Sequence, residues 1–396
     1  MNIIVQKYGG SSIADSQKIK YVSEKIKSRV LEGFKVIVIL SAMGKTTDSL
    51  IKLAKEVSNK PHPRELDMML ATGEQVSVAL LSMSLNDLNI STKSLTSFQA
   101  GIYTTSVHNQ ARIQKFDNSK ILSFLNNFEV LVITGFQGIT EEGEYTTLGR
   151  GGSDTSAVAL AASLNVECEI YSDFEGIYTF DPRKYNKAKK INYITYDEML
   201  EMASLGAKVL HSRAVEIAKK FNIKVYCGST FSDGEGTFVI ADNIENPVVT
   251  GMSVMENQTQ VTISNLPYNY SAVYDLFEKI AERGFNVDMI SIINLDNKLN
   301  ISFTIIEEEI NNFDYYLKEV LANFSQAQTF YEHGYTKISV VGIGMKTEKG
   351  VASRFFKALK EIPIKMVTTS EIKISALIDK DYISKTTGSL IEEFEL

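Results

Sequence analysis

Apolar β-branched runs alternate with amphipathic stretches along the first two-thirds of the chain. Residues 3–5, 36–40, 130–134, 169–172 and 224–226 read as buried strands, and residues 16–32, 47–58, 64–85, 118–126, 154–163 and 196–220 carry helical spacing. Strands separated by helices imply a mainly parallel sheet with crossover helices on both faces, so residues 1–245 read as one large α/β domain. Beyond residue 245 the pattern changes. Residues 260–266, 286–293 and 299–306 read as strands, and residues 272–283 and 315–324 as helices. The pattern then recurs: Val261, Ile263, Val287 and Met289 correspond to Ile338, Val340, Ile364 and Met366, with a helix at 352–359 where the repeat requires it. Two smaller βαββαβ-like α+β units are expected, residues 259–333 and residues 246–258 with 334–396. In the second, residues 247–254 add a strand.

Composition narrows the function. At 396 residues the chain exceeds one ordinary core and suggests about two or three domains. Hydrophobic residues make up 44%, charged residues 22%, and the net charge is −7, which argues against nucleic acid as a partner. No uninterrupted apolar run approaches the roughly 20 residues of a membrane span, and MNIIVQKYGG reads as a strand rather than a signal peptide, so no membrane role and a cytoplasmic location are expected. Cys168 and Cys227 are the only cysteines and read as packing residues. His62, His108, His211 and His333 lack metal-ligand spacing, so no protein metal centre is expected.

In open parallel sheets ligands gather at the carboxyl ends of the strands. Four strand exits here carry glycines, hydroxyls, lysines or acids: KYGGSS (7–12), SAMGKTTD (41–48), GFQG (135–138) and SDFEGIYTFDPR (172–183). The most informative segment is TTLGRGGSDTSA, residues 146–157. Its glycines allow close backbone approach, Ser153, Asp154 and Thr155 offer N-cap chemistry for the following helix, and a helix start is a seat for phosphate or carboxylate. Taken alone, the same segment also fits a capped turn. Gly44, Lys45 and Thr46 mimic the end of a P-loop, but Ile39 stands where its leading glycine would be, so that reading fails. Lys7 with Gly9 and Gly10 offers a different phosphate seat, or else a solvated strand end.

KYGGSSIAD, LSAMGKTTD, TGEQVS, GFQG, TTLGRGGSDTSA, SDFEGIYTFDPR and GAKVLH occur in the order seen in aspartate kinases, and the whole chain resembles that branch of the amino-acid kinase superfamily. Tyr8 and Ser11 replace the usual Phe and Thr conservatively. The resemblance implies a monofunctional enzyme that transfers the ATP γ-phosphoryl group to the β-carboxylate of L-aspartate, with Mg²⁺, followed by paired ferredoxin-like ACT domains.

By resemblance, Lys7, Asp154 and Lys208 are catalytic, with Lys7 and Lys208 on the phosphates and Asp154 holding Lys7. Ser41, Thr47, Glu74, Arg150, Gly151 and Ser153 face aspartate: Arg150 clasps a carboxylate and Glu74 holds the ammonium. Lys7, Tyr8, Gly9, Gly10, Ser172, Asp173, Tyr178, Arg183, Lys208 and Val209 line the nucleotide. Asn286, Asp288 and Met289 line an effector site for lysine, or else threonine, with Asp288 either on the effector ammonium or at a solvated strand end. In the first ACT unit Asn269, Tyr270 and Ser271 stand where the second has Gly350, which separates the two repeats at the helix start. Self-association through the ACT units as a dimer or tetramer is implied. The alternatives are another kinase of the superfamily and a non-catalytic ACT amino-acid sensor.

Overall fold

The five apolar runs become five adjacent strands in a computed structural model that describes residues 1–205, 209–242, 247–322, 324 and 326–396. They sit inside an eight-stranded sheet ordered Tyr193–Thr195, Thr237–Ile240, Val225–Ser229, Cys168–Ser172, Ile3–Tyr8, Lys35–Leu40, Val130–Thr134, Thr92–Leu95. Every pairing is parallel except that of Val225–Ser229 with Thr237–Ile240. The chain divides into two compact units, Met1–Thr179 with Lys187–Glu245, and Phe180–Asn186 with Asn246–Leu396.

In the first unit, strand alternation sorts side chains between the two faces of the sheet. Ile4, Tyr8, Val36, Val38, Leu40 and Val132 pack against Ile19, Val22 and Ile26 of the helix Ser16–Leu31 and against Val78, Leu81 and Leu85 of Thr72–Asp87. Each such buried side chain contributes roughly 1.5–3 kcal/mol, which fixes these helices more firmly than helix propensity does. Lys7 points to the other face, where Gly152–Leu164 lies.

Two helical readings are corrected. Residues 64–85 form two helices, Pro63–Leu70 and Thr72–Asp87, with a break at Ala71, whose carbonyl accepts Gln137 Nε2 at 3.0 Å. Residues 196–220 also form two, Tyr196–Ser204, opened by a Thr195/Glu198 capping box, and Ser212–Phe221, capped by His211. The stretch Pro63–Asp87 has the length and hydropathy of a membrane span, yet half of its apolar 18-residue window is buried in the protein and the stretch carries buried Asp67 and Glu74.

The second unit is built on a six-stranded antiparallel sheet ordered Asp288–Leu295, Lys298–Ile306, Gly251–Pro267, Gln328–Val341, Lys373–Asp379, Ile364–Thr369. Its two long strands serve both repeats. Residues 251–255 pair with 337–341 and residues 260–264 with 328–332, so the segment leading into the first repeat supplies an edge strand to the second. Ile263, Leu276, Ile301, Phe303, Phe313 and Leu317 fill the core of the first repeat. The helix expected at 315–324 is Ile310–Leu321, because Ile310, Phe313, Leu317 and Val320 form its apolar stripe directly after the turn Glu307–Glu309. Asn269 substitutes for the missing glycine: it adopts extended backbone and caps Tyr270–Glu282 by accepting the Ser271 N–H, whereas Gly350 opens Val351–Ala358 in the left-handed region. A terminal helix, Ile383–Phe394, was not foreseen.

Candidate active site

The exits of the first two strands are bonded to each other. Gly44 N–H donates to Gly10 O at 3.0 Å, and a Cβ on Gly10 would lie 2.6 Å from Ala42 O, so only glycine allows this approach. Lys7 Nζ lies 2.6 Å from Asp154 Oδ1, with both side chains largely buried, and Gly9 passes beside that ammonium. Tyr8 faces the opposite side of the sheet, stacked on Tyr171 with 5.1 Å between ring centroids. Its ring therefore belongs to the core and is not exposed at the strand exit.

Glu74 is almost fully buried in the first turn of Thr72–Asp87. Its carboxyl accepts Ala42 N–H at 3.1 Å and Gln137 Nε2 at 3.2 Å, and burial outweighs these bonds to raise its pKa to about 8. Gln137, the third residue of GFQG, thus orients Glu74 while also holding the helix break at Ala71. Ser41 and Ser153 share a hydrogen bond at 2.9 Å, joining the second strand exit to the start of Gly152–Leu164. Thr47 sits in the first turn of Thr46–Val57.

The 146–157 segment differs from expectation at its cap. Gly151 is the N-cap, in the left-handed region at φ 69°, and Ser153, Asp154 and Thr155 already lie inside the helix. Thr155 Oγ1 donates to Gly151 O at 3.1 Å, and the Asp154 carboxylate pairs with Lys7 instead of capping the helix. A Cβ on Gly151 would come within 2.1 Å of His211 Cγ. Arg150, one residue earlier, is solvent-exposed. Arg213 donates to Leu148 O at 2.6 Å and to Ala111 O at 3.1 Å. Asp67, absent from the sequence reading, holds Thr147 Oγ1 at 2.6 Å. Neither Arg213 nor Asp67 lies in a motif, and both read in the sequence as ordinary helix charges.

Ser172 closes its strand, its Oγ accepting the Phe174 N–H, and Asp173 is exposed beyond it. Tyr178 lies in the short strand Ile177–Tyr178, with its hydroxyl on Glu175 at 3.2 Å. Arg183 falls in the second unit, where its guanidinium grips Asp181 at 2.9 and 3.0 Å, so the sequence segment 172–183 is divided between units. Val209 is half-buried, and Lys208 lies outside the described residues.

Of the effector residues, Asn286 is exposed and Met289 is buried at φ 50° beside Tyr335, Met366 and Leu377. Asp288 pairs with the ammonium of Lys337, which is almost wholly buried. Burial pushes the Asp288 carboxyl upward, but the hydrogen bond and charge of Lys337 outweigh it and leave the pKa lowered. That carboxylate is therefore already engaged by a cation of its own chain.

Residues 2–229 match the model of the amino acid kinase family, and residues 338–394 match an ACT domain. The chain is 45% identical to an aspartokinase of Geobacillus stearothermophilus and 42% identical to aspartokinase 2 of Bacillus subtilis, each over 100% of this chain and 98% of the relative. The fold matches Escherichia coli aspartokinase III, solved with aspartate and ADP, at TM-score 0.82 and 23% identity over 100% of both chains.

Proposed function

The chain belongs to the amino acid kinase family, among its aspartokinases, and from that membership we propose the working of its site. It is an aspartate kinase, taking the γ-phosphoryl group of ATP onto the β-carboxylate of L-aspartate to give 4-phospho-L-aspartate and ADP. The observation that carries this reading is the convergence of Lys7, Asp154, Ser41, Ser153 and Glu74 at neighbouring strand exits.

A carboxylate nucleophile has an unperturbed pKa of about 3.9 and needs no general base. Its approach to a polyanion needs cations and fixed dipoles. Lys7, held by Asp154, meets the phosphates with the backbone donors around Gly9 and Gly10. The free N–H groups at the start of Gly152–Leu164 and Arg150 face the aspartate, and Glu74 takes its ammonium. Tyr178, Asp173, Ser172, Val209 and, outside the described residues, Lys208 are assigned to the nucleotide. Among the described residues no three His, Cys, Asp or Glu side chains gather to hold a metal. Mg²⁺ carried in on ATP keeps several waters and needs only one or two carboxylates, which fits Asp154 as its protein donor. When bound it supplies charge neutralisation on the phosphates.

The six-stranded sheet is assigned to feedback control by an end-product amino acid, lysine in the leading reading, in a cytoplasmic biosynthetic enzyme. Its edge strand Asp288–Leu295 leaves Ile290, Ile292, Ile293 and Leu295 exposed, which suits burial against a second copy and supports a dimer or larger assembly. The test is aspartate-dependent ADP release from Mg-ATP with hydroxylamine trapping the acyl phosphate, with and without lysine or threonine. Hydroxamate suppressed by lysine supports both assignments. Absence of hydroxamate from folded protein overturns the catalytic one.

A further inference from the structure

Asp67 is fully buried, in the helix Pro63–Leu70, and takes no part in the chemistry above. Its carboxylate collects donors from two separate segments. From the loop after the strand Ile102–Thr104 it accepts His108 Nδ1 at 2.8 Å and the Asn109 N–H at 3.0 and 3.2 Å. From the strand Tyr145–Thr147 it accepts Thr147 Oγ1 at 2.6 Å. Both segments bear on the turn that follows: Ala111 N–H donates to Thr147 O at 2.9 Å, and Gly149 passes so near Asn109 O that a Cβ there would lie 3.0 Å away. Three residues beyond Thr147 stands Arg150.

We propose that Asp67 is a positioning residue for aspartate binding, a buried carboxylate that sets the 147–152 turn and so aims Arg150. A buried carboxylate with donors from two segments ties both to one point, and Arg213 closes the arrangement from the other side through Leu148 O and Ala111 O. The turn fixes the point from which the Arg150 side chain must reach its ligand, and small misplacement of a binding group is costly. The inference rests on the assignment of Arg150 to aspartate.

The test is steady-state kinetics of the full-length enzyme, with aspartate and ATP varied separately, on Asp67→Asn, Thr147→Val, Arg150→Ala and the Asp67→Asn/Arg150→Ala double variant. Asp67→Asn is expected to raise KM for aspartate about tenfold or more while KM for ATP stays near wild type. The double variant is expected to be no worse than Arg150→Ala alone, because both changes remove the same interaction. Thr147→Val deletes one hydrogen bond of the set and carries the same expectation, at about threefold, if Asp67→Asn does not fold. Multiplying effects in the double variant, or equal rises in both Michaelis constants, overturn the proposal while leaving Arg150 in place. An unchanged KM for aspartate in Arg150→Ala overturns the Arg150 assignment and the proposal with it.

Discussion

Lys7 Nζ lies 2.6 Å from Asp154 Oδ1, joining the exit of a central strand to the first turn of the helix that covers it. The pair fixes the direction of an ammonium that would otherwise pivot on four rotatable bonds. Lys7→Ala is expected to lower kcat by about 10² or more, since the developing charge on the leaving phosphate loses a preorganised cation. Asp154→Asn keeps the ammonium but loosens its aim and removes the carboxylate offered to Mg²⁺, so the double variant should fall below Lys7→Ala alone. Turnover close to wild type in folded Lys7→Ala removes Lys7 from the mechanism.

Gly151 is tested by a change that leaves every charge in place. Its φ of 69° costs an alanine about 1 kcal/mol, and its Cβ would lie 2.1 Å from His211 Cγ, adding roughly 1–3 kcal/mol unless the helix Gly152–Leu164 shifts. If it shifts, Asp154 and Ser153 move with it. Gly151→Ala should therefore lower both the melting temperature and kcat/KM, and a variant with unaltered melting and kinetics contradicts the packing described here.

Much of this site was legible in the sequence, for a physical reason. Glycines at strand exits, and a glycine-rich turn before a helix, are local features, and Lys7, Ser41, Ser153 and Asp154 each sit in one, whereas Glu74 reads as an ordinary helix acid and is singled out only by the family resemblance. What was not legible is long-range and made by single side chains. Gln137 reaches Glu74 from another strand exit, and Asp67 looked like one more acid on an amphipathic helix. The Gly151 cap was misread because Ser153 and Asp154 are strong capping residues, but Asp154 is claimed by Lys7 instead. In the second unit the repeat fixed the strands, while the start of Ile310–Leu321 was missed because its apolar stripe begins directly against the Glu307–Glu309 turn.

Lys337 and Asp288 make an asymmetric pair. The strands that carry them are separated by two others in the sheet, and the lysine side chain is 4% exposed against 50% for the aspartate. Removing the aspartate strands a buried ammonium, whereas removing the lysine leaves a carboxylate that water can reach. Asp288→Asn is expected to cost about 3 kcal/mol, the low end for a broken buried pair because Asp288 is half open to solvent, and Lys337→Met about 1 kcal/mol or less. Urea unfolding of the two variants measures the order, and a Lys337→Met variant less stable than Asp288→Asn contradicts this reading.

Glu74 gives the enzyme a pH dependence whose sign follows from burial. With its pKa raised to about 8, the carboxyl is protonated at neutral pH in the empty site. In the role proposed for Glu74 the substrate ammonium is held by the carboxylate, so binding would have to expel that proton, and the cost would shrink as pH approaches 8. KM for aspartate should fall by up to tenfold per pH unit between about pH 6.5 and 8 and level off above, with one proton released per aspartate bound at the acid end. Stability runs the opposite way. The unfolded glutamate ionises near 4.3, so the folded chain is favoured below that value and loses about 1.4 kcal/mol per pH unit as pH rises towards 8. Glu74→Gln should abolish both slopes and leave KM high at every pH. A wild-type KM that is flat from about pH 6.5 to 8.5 would mean that the ammonium is held elsewhere, and Glu74 would then be a structural acid that keeps Ala42 and Gln137 in place.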